Sequence, residues 1–285
     1  MTYVLEKHAD KPPLSAVLRR GAAILVPRTR GISNLLLGLP LMLALCALWE
    51  IAPRVGWMNP IFFPPLSAVL AALGDLIGSG TMGRHIGISL QRAAYGFALA
   101  VVVAIPLGFL MGRYSLFEKI TDLLAQTLRN TSQFALLPVF VLLLGIGEAS
   151  KIAITFYAAV FFLLINTIVG VKSVDPLLLK AAKSMGTSDL HLFRKVIFPS
   201  AIPSIVAGAR LGIKTALFSV IAAEMLAGRS GIGYLIYNSQ LMLKSADMYA
   251  GIITLTVVGL VLNYVLVAIE RRATHWRPNP DDTPH

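Results

Sequence analysis

The chain has 285 residues, of which 56% are hydrophobic and only 14% charged, with a mean hydropathy of +0.74. Soluble domains carry about 25% charged residues, so a globule of this size could not be coated, and disorder over most of the chain is equally excluded. The net charge of +11 would suit nucleic acid, but the basic residues lie between apolar runs, where membrane topology uses them.

Residues 1–33 are mixed and basic (Lys7, Lys11, Arg19, Arg20, Arg28, Arg30) and lack one continuous apolar core, so no cleavable signal peptide is expected. Apolar runs follow at about 34–52, 93–112, 133–147, 151–171, 202–226 and 249–269, each near the length that a spanning helix requires. The fold class expected is all-α and polytopic, with six transmembrane helices. With the N-terminus inside, the cytoplasmic segments hold Arg113, Lys119, Lys172, Lys180, Lys183, Arg194, Lys195, Arg271, Arg272 and Arg277 besides the N-terminal tail. The outer side holds fewer cations: Arg54, Arg84, Arg92, Lys151, Arg229 and Lys244. This asymmetry predicts both termini in the cytoplasm.

Within the long outer connection 53–92, Pro64-Pro65 followed by Leu66, Val69, Leu70, Leu73, Leu76 and Ile77 predicts an amphipathic helix started by proline. The inner loop 172–199 is not polar, as a free loop would be. Leu177, Leu178, Leu179, Ala181, Ala182 and Met185 predict a short helix. Gly186 breaks it, Leu190, Leu192 and Phe193 begin a second, and Pro199 closes the segment. Two short amphipathic helices on a loop either dock on a partner or lie at the interface.

Charges inside spans are costly, about 2.5–3.5 kcal/mol each on insertion scales. Arg210, Lys214 and Glu224 share one face of the fifth span with Leu217 and Ile221. They predict either a positive wall suited to an anion or structural pairing near the membrane edges. Asn130, Gln133 and Asn166, with Gln126 and Ser132, either line a path or bond between helices. Gly108 with Gly112, and Gly208 with Gly212, predict close helix packing, and Pro106 and Pro138 predict kinks. The single cysteine, Cys46, excludes an internal disulfide, and no clustered ligands suggest a metal site.

Enzymatic readings find little support. Gly228-Arg229-Ser230-Gly231 matches a GxSG pattern of intramembrane serine proteases, but the histidine such a serine needs is absent from the predicted spans, His85 being assigned outside. No G-x-x-x-x-G-K-[ST] phosphate loop occurs; Gly212-Ile213-Lys214-Thr215 lacks the adjacent glycine–lysine pair.

Lys180-Ala181-Ala182, Gly186, Val196, Phe198 and Pro199 are similar to the loop of ABC importer permeases written EAA, three residues, G, nine residues, I-x-LP. Lys180 replaces the glutamate, Val196 the isoleucine and Phe198 the leucine. Further blocks in order resemble the nitrate/sulfonate/taurine (bicarbonate) permease family. They include Leu128-Arg129-Asn130, Leu137-Pro138, Gly145-Ile146-Gly147-Glu148, Ala201-Ile202-Pro203-Ser204, Gly208-Ala209-Arg210, Ala223-Glu224 and Gly231-Ile232-Gly233-Tyr234-Leu235. The resemblance runs from Trp49 to about Arg277.

That resemblance implies a type I ABC importer permease of the inner membrane, with a transmembrane type-1 domain over 85–272. Residues 1–33 and 273–285 would be cytoplasmic tails, and 34–84 the first span with its outer amphipathic segment. It implies a homodimer, two cytoplasmic ABC ATPase subunits that bind ATP and Mg, and an extracytoplasmic substrate-binding protein; no cofactor would bind this chain. The ATPase-coupling loop would use Lys180, Ala181, Ala182, Gly186, Leu190, Phe193 and Pro199. Substrates implied are small anions, aliphatic sulfonate or taurine preferred, with nitrate, bicarbonate or a vitamin precursor as alternatives. From another class, an ion-coupled secondary transporter would need intramembrane acids, and only Glu50 and Glu224 offer themselves. A membrane scaffold docking another protein through 172–199 is a third possibility.

Overall fold

A computed structural model describes residues 32–273, with side chains from Leu39 to Arg272, and every regular element among them is helical. In chain order these are α1 (Ile32–Arg54), α2 (Leu66–Gly78), α3 (Thr81–Arg113), α4 (Ser115–Asn130), α5 (Leu137–Leu144) and α6 (Glu148–Lys172). There follow α7 (Pro176–Ser184), α8 (Asp189–Leu192), a π-helical turn (Phe193–Ile197), α9 (Phe198–Ala227), α10 (Ile232–Leu241) and α11 (Ser245–Ala273). The predicted tails lie almost wholly outside the described residues.

Four stretches among the described residues are long and apolar enough to cross a membrane: Thr81–Arg113, Glu148–Lys172, Asp189–Leu241 and Ser245–Arg272. The chain is a multi-pass membrane protein. α1, with 23 residues, also has the length of a span. The predicted second span begins earlier than expected, at Thr81, because polar residues of its first turns are paired inside the protein. The predicted third span, 133–147, is not a continuous helix. α4 rises from the end of α3, the chain leaves helical geometry over 131–136, and α5 supplies only eight residues. Pro138 is the second residue of α5 and starts that helix rather than kinking a longer one.

α3, α6 and α9 form the core, and small residues bring them together. Gly96, Ala100, Ala104, Gly108 and Gly112 recur every fourth residue along α3. A Cβ added at Gly96 would lie 2.6 Å from Thr155, one at Gly108 2.6 Å from Thr167, and one at Gly112 2.7 Å from Val171. Residue numbers rise together, so α3 and α6 run parallel. Against α9 they run in opposite order: Gly170 meets Ala201 and Ser204, Gly208 meets Phe162 and Asn166, and Gly212 meets Ala159. α6 is therefore antiparallel to α9. Lipid gives no hydrophobic drive between helices, so close packing of this kind is what holds them.

At the end of the core bearing the N-termini of α3 and α6, the connection between α1 and α3 is tied down. Glu50 accepts hydrogen bonds from the backbone and hydroxyl of Ser67 (2.9 Å each), capping α2. This assigns Glu50 to structure. Trp49, Phe63 and Tyr249 pack with ring centroids 5.7 Å apart, and the Trp49 indole donates to the Pro64 carbonyl. At the opposite end, α7, α8 and the π turn fold back on the core. Ala182, Leu192 and Ile197 are buried with Phe109, Val171, Val174 and Ala201. Phe109 and Phe193 meet edge to face at 4.9 Å.

Candidate functional site: a half-depth cavity, a buried charge node and an inner loop

The sequence-predicted residues separate into three places. Asn130 and Gln133 come together in a cavity of about 460 Å³ with Arg129, Ser132, Tyr157 and Thr215. The floor of this cavity is α6, and Tyr157 lies about 14 Å along α6 from Glu148 at about 1.5 Å per residue. The cavity is thus near half depth, and the non-helical segment 131–136 is beside it. Backbone outside a helix is tolerated at membrane depth only where it is buried in protein or lines a cavity, which explains why this break sits here.

Arg129 is exposed within the single chain and makes no hydrogen bond or ion pair with other described residues. A second cavity, of about 360 Å³, shares Arg129, Phe161 and Ile165 with the first and continues toward the C-terminal end of α6 past Gln126, Asp122 and Glu118. α4 stands off α6 across these cavities. It is pinned at one end by Lys172 pairing with Glu118 and at the other by the Tyr157 hydroxyl donating to the Leu128 carbonyl.

Asn166 is not in this cavity. It donates to the Phe162 carbonyl (2.8 Å) and packs against Gly208, so it serves the α6–α9 contact. Arg210 pairs with Glu270 of α11 at 2.8 Å, tying α9 to α11. Lys214 is half-buried one turn on and has no partner among the described residues; it does not line the cavity, although its neighbour Thr215 does.

Glu224, predicted as a path candidate, is instead the centre of a closed node at the end where α3 and α6 begin. It is fully buried. Its carboxylate accepts from Arg92 Nη1 (2.7 Å) and from the Gly233 N–H (3.0 Å), and Ser89 Oγ lies 2.8 Å away. Arg92 is 3% exposed. Its Nε and Nη2 each donate to Glu148 at 2.6 Å, Nη1 also reaches the Ser230 carbonyl at 2.7 Å, and Nη2 reaches Ser230 Oγ at 2.9 Å. All five guanidinium N–H groups are used, which is what a buried arginine requires. Lys151, also buried, lies 3.8 Å from Glu148 and balances the second acid.

Sequence reasoning counted Arg92 as a flanking charge of the outer side. Its partners are 56 and 132 positions away, so no local pattern could have revealed them. His85, also assigned outside, lies in α3 and accepts the Gly231 N–H through Nδ1 at 2.9 Å. The Ser230 hydroxyl is held by Arg92, and Gly231 has φ +107° with the Glu224 carboxylate where a Cβ would be. The GxSG match is the turn that closes this node.

The inner loop forms the predicted helix, glycine turn and second helix. Asp175 caps α7 by accepting from the Leu177 N–H (2.8 Å). Gly186 has φ +73°, a conformation open to glycine at no steric cost. Lys180, Ala181, Gly186 and Leu190 are exposed, as are Leu177, Leu178 and Met185. Phe193 and Pro199 are half-buried. Ala182 differs from expectation: it is buried at 7% exposure in the chain's own core, so it cannot meet a partner surface. The Lys180 ammonium group has no partner among the described residues, its carbonyl accepting from the Ser184 hydroxyl.

Comparison with known proteins places this arrangement. Residues 104–275 match the family described as binding-protein-dependent transport system inner membrane component. The chain belongs to that family. It is 32% identical over 240 residues to a putative aliphatic sulfonates transport permease protein of Bacillus subtilis (strain 168), covering 84% of this chain and 87% of the relative. It is 31% identical over 237 residues to the taurine transport system permease protein of Escherichia coli (strain K12), covering 81% and 86%. Among solved structures, an inward-facing MetNI methionine ABC transporter aligns with a TM-score of 0.58 at 18% identity, covering 65% of this chain and 93% of that one. The fold is that of type I ABC importer permeases. This chain is an ABC importer permease, of a family of transport subunits that works with an ATPase and a substrate-binding protein.

Proposed function

We propose that this permease imports a small anion, an aliphatic sulfonate or taurine in preference to nitrate, bicarbonate or a vitamin precursor. The observation that carries the reading is the unpartnered Arg129 guanidinium in a half-depth cavity beside the unwound segment 131–136. An ionisable group inside the membrane is kept for a function by default, and a free guanidinium matches an oxyanion's geometry. Asn130, Ser132 and Gln133 supply further polar contacts along the same wall.

Two copies of the chain form the pore, with both termini in the cytoplasm. The exposed residues of the inner loop, Lys180, Ala181, Gly186 and Leu190, engage an ATPase pair that binds ATP and Mg. Substrate is delivered outside by a binding protein, and the assembly alternates between outward- and inward-open states as a rigid-body switch.

Reconstituted with its ATPase and binding protein, the wild-type permease is expected to take up radiolabelled taurine or an alkanesulfonate in an ATP-dependent manner. Arg129→Gln is expected to lower uptake about tenfold or more, the loss of one charge-assisted contact. Uptake of nitrate but of neither sulfonate would overturn the substrate choice. Gly186→Val is expected to strain the αL turn by about 1–2 kcal/mol and to abolish co-purification of the ATPase from detergent extracts. Retention of a full complement of ATPase would argue against the loop as its seat.

A further inference from the structure

We infer that the turns at 55–63 and 241–244 together form an apolar prong that inserts into the bilayer interface, at the end of the core bearing the N-termini of α3 and α6. Trp57, Met58, Ile61, Phe62, Met242 and Leu243 are all exposed, Trp57 at 72%. Single exposed apolar residues are ordinary, but a contiguous group marks contact with a protein or a membrane. The two turns are one unit. The Ser245 hydroxyl donates to the Ile61 carbonyl, and Phe63, next to Phe62, packs with Trp49 of α1 and Tyr249 of α11.

Both turns are built to hold these side chains out. Gly56, at φ +87°, ends α1 and lets the Trp57 N–H return to the Ala52 carbonyl (3.0 Å). Asn59 Oδ1 accepts the Ile61 N–H (2.9 Å), and the Asn59 carbonyl accepts those of Phe62 and Phe63 (3.0 and 2.9 Å). Leu243, just after α10, has φ +56°, a left-handed position that glycine or asparagine ordinarily fills. A leucine kept there and pointed outward has an apolar medium to meet.

That medium is lipid. The prong continues the flanks of two outlying helices: every residue of α1 from Leu39 to Leu45 is exposed, and almost none of the apolar stretch of α11 is buried by the chain itself. Neither 55–63 nor 241–243 contains an ionisable side chain, whereas a protein interface has a polar rim. Of the bordering charges, Glu50 and Arg54 pair with each other, and Asp247 sits in the first turn of α11, where an acid suits the helix dipole. The Lys244 ammonium has no partner among the described residues and is placed to meet a lipid phosphate. Tryptophan favours the headgroup level.

The test uses the full-length permease in complex with its ATPase, in phosphatidylcholine nanodiscs, and reads Trp57 as the difference in emission between wild type and Trp57→Phe, two proteins expected to melt alike. Lipid brominated near the headgroup end of its acyl chains is expected to quench Trp57 about twofold more than lipid brominated near the chain terminus, as insertion by about 5–10 Å requires. Aqueous iodide is expected to quench it little. Phe62→Glu combined with Met242→Glu is expected to abolish the lipid quenching and admit iodide, with melting in detergent unchanged because neither side chain is buried. Quenching of the wild type by iodide and not by lipid overturns the inference, leaving the turns in water. Shielding from both quenchers overturns it too and makes the patch a contact between copies. Iodide quenching that disappears only when binding protein is added overturns it in favour of a docking surface for that protein. No substrate enters the measurement, so its result is independent of the anion reading.

Discussion

Replacing Arg92 by alanine is expected to destabilise the permease by about 3–5 kcal/mol, the usual cost of removing one member of a buried ion pair. The arginine joins four segments: its own α3, Glu148 at the start of α6, Glu224 near the end of α9, and Ser230 before α10. Without it, Glu224 keeps only Ser89 and the Gly233 N–H as donors, and its buried charge is offset only by the more distant Lys151. Thermal melting in detergent checks this, with Arg84→Ala as control, since Arg84 is exposed and surface changes fall within about 0.5 kcal/mol. Arg92→Met combined with Glu224→Leu should recover only part of the loss: apolar replacement of a buried pair is often neutral, but here Glu148, Ser230 and the Gly233 N–H lose their partners as well. A melting temperature for Arg92→Ala equal to that of wild type would show that the node contributes no stability.

Gly208→Val is expected to come next in effect. A Cβ there would lie 2.5 Å from the Asn166 Cβ and 2.9 Å from the Phe162 carbonyl oxygen. Backbone cannot retreat as a flexible side chain can, so α6 and α9 must separate. Overpacking of this kind costs about 1–3 kcal/mol, against which the gain in helix propensity over glycine is below about 1 kcal/mol. Gly87→Ala on α3 is the contrast: nothing lies within 4 Å of its added Cβ, so it should be neutral or stabilising by about 0.5–1 kcal/mol. Melting of the two variants side by side separates crowding from a general intolerance of change at helix glycines. If both behaved alike, the close approach of α6 and α9 would not be what limits stability.

What could be read in advance was local or periodic. The helix–glycine–helix of the inner loop was legible in Leu177 to Phe193, because a leucine-rich turn, a glycine and a second apolar turn leave few other arrangements. The proline-started α2 was legible for the same reason. The small-residue pairs Gly108 with Gly112 and Gly208 with Gly212 also carried their meaning in their spacing, since only close packing rewards them.

The rest depended on distant partners. Arg92 and Glu224 each look like an expensive stray charge until the fold joins them. The 133–147 run is as apolar as a span, and hydropathy alone reads it as one. Its first residues, 133–136, instead belong to the non-helical segment 131–136, which follows the polar Arg129 and Asn130 and lines a cavity with α6 and Thr215 of α9. Ala182 was misread because small size permits two uses, contact with a partner or contact with the chain's own core, and composition does not choose between them.

One feature of the core bears on how work crosses the membrane. α9 runs unbroken for 30 residues, about 45 Å at about 1.5 Å per residue, from the inner loop at one end to Glu224 near the other. Crowded glycines fix it along α6, Arg210 fixes it to α11, and the charge node fixes its far end. Pro203, inside its first two turns, is the point where a backbone hydrogen bond is missing. α4, by contrast, is held to α6 only near its two ends, with cavities between. The permease thus sets one helix clamped along its length against one loosely packed wall, and the cavity lies where the two meet.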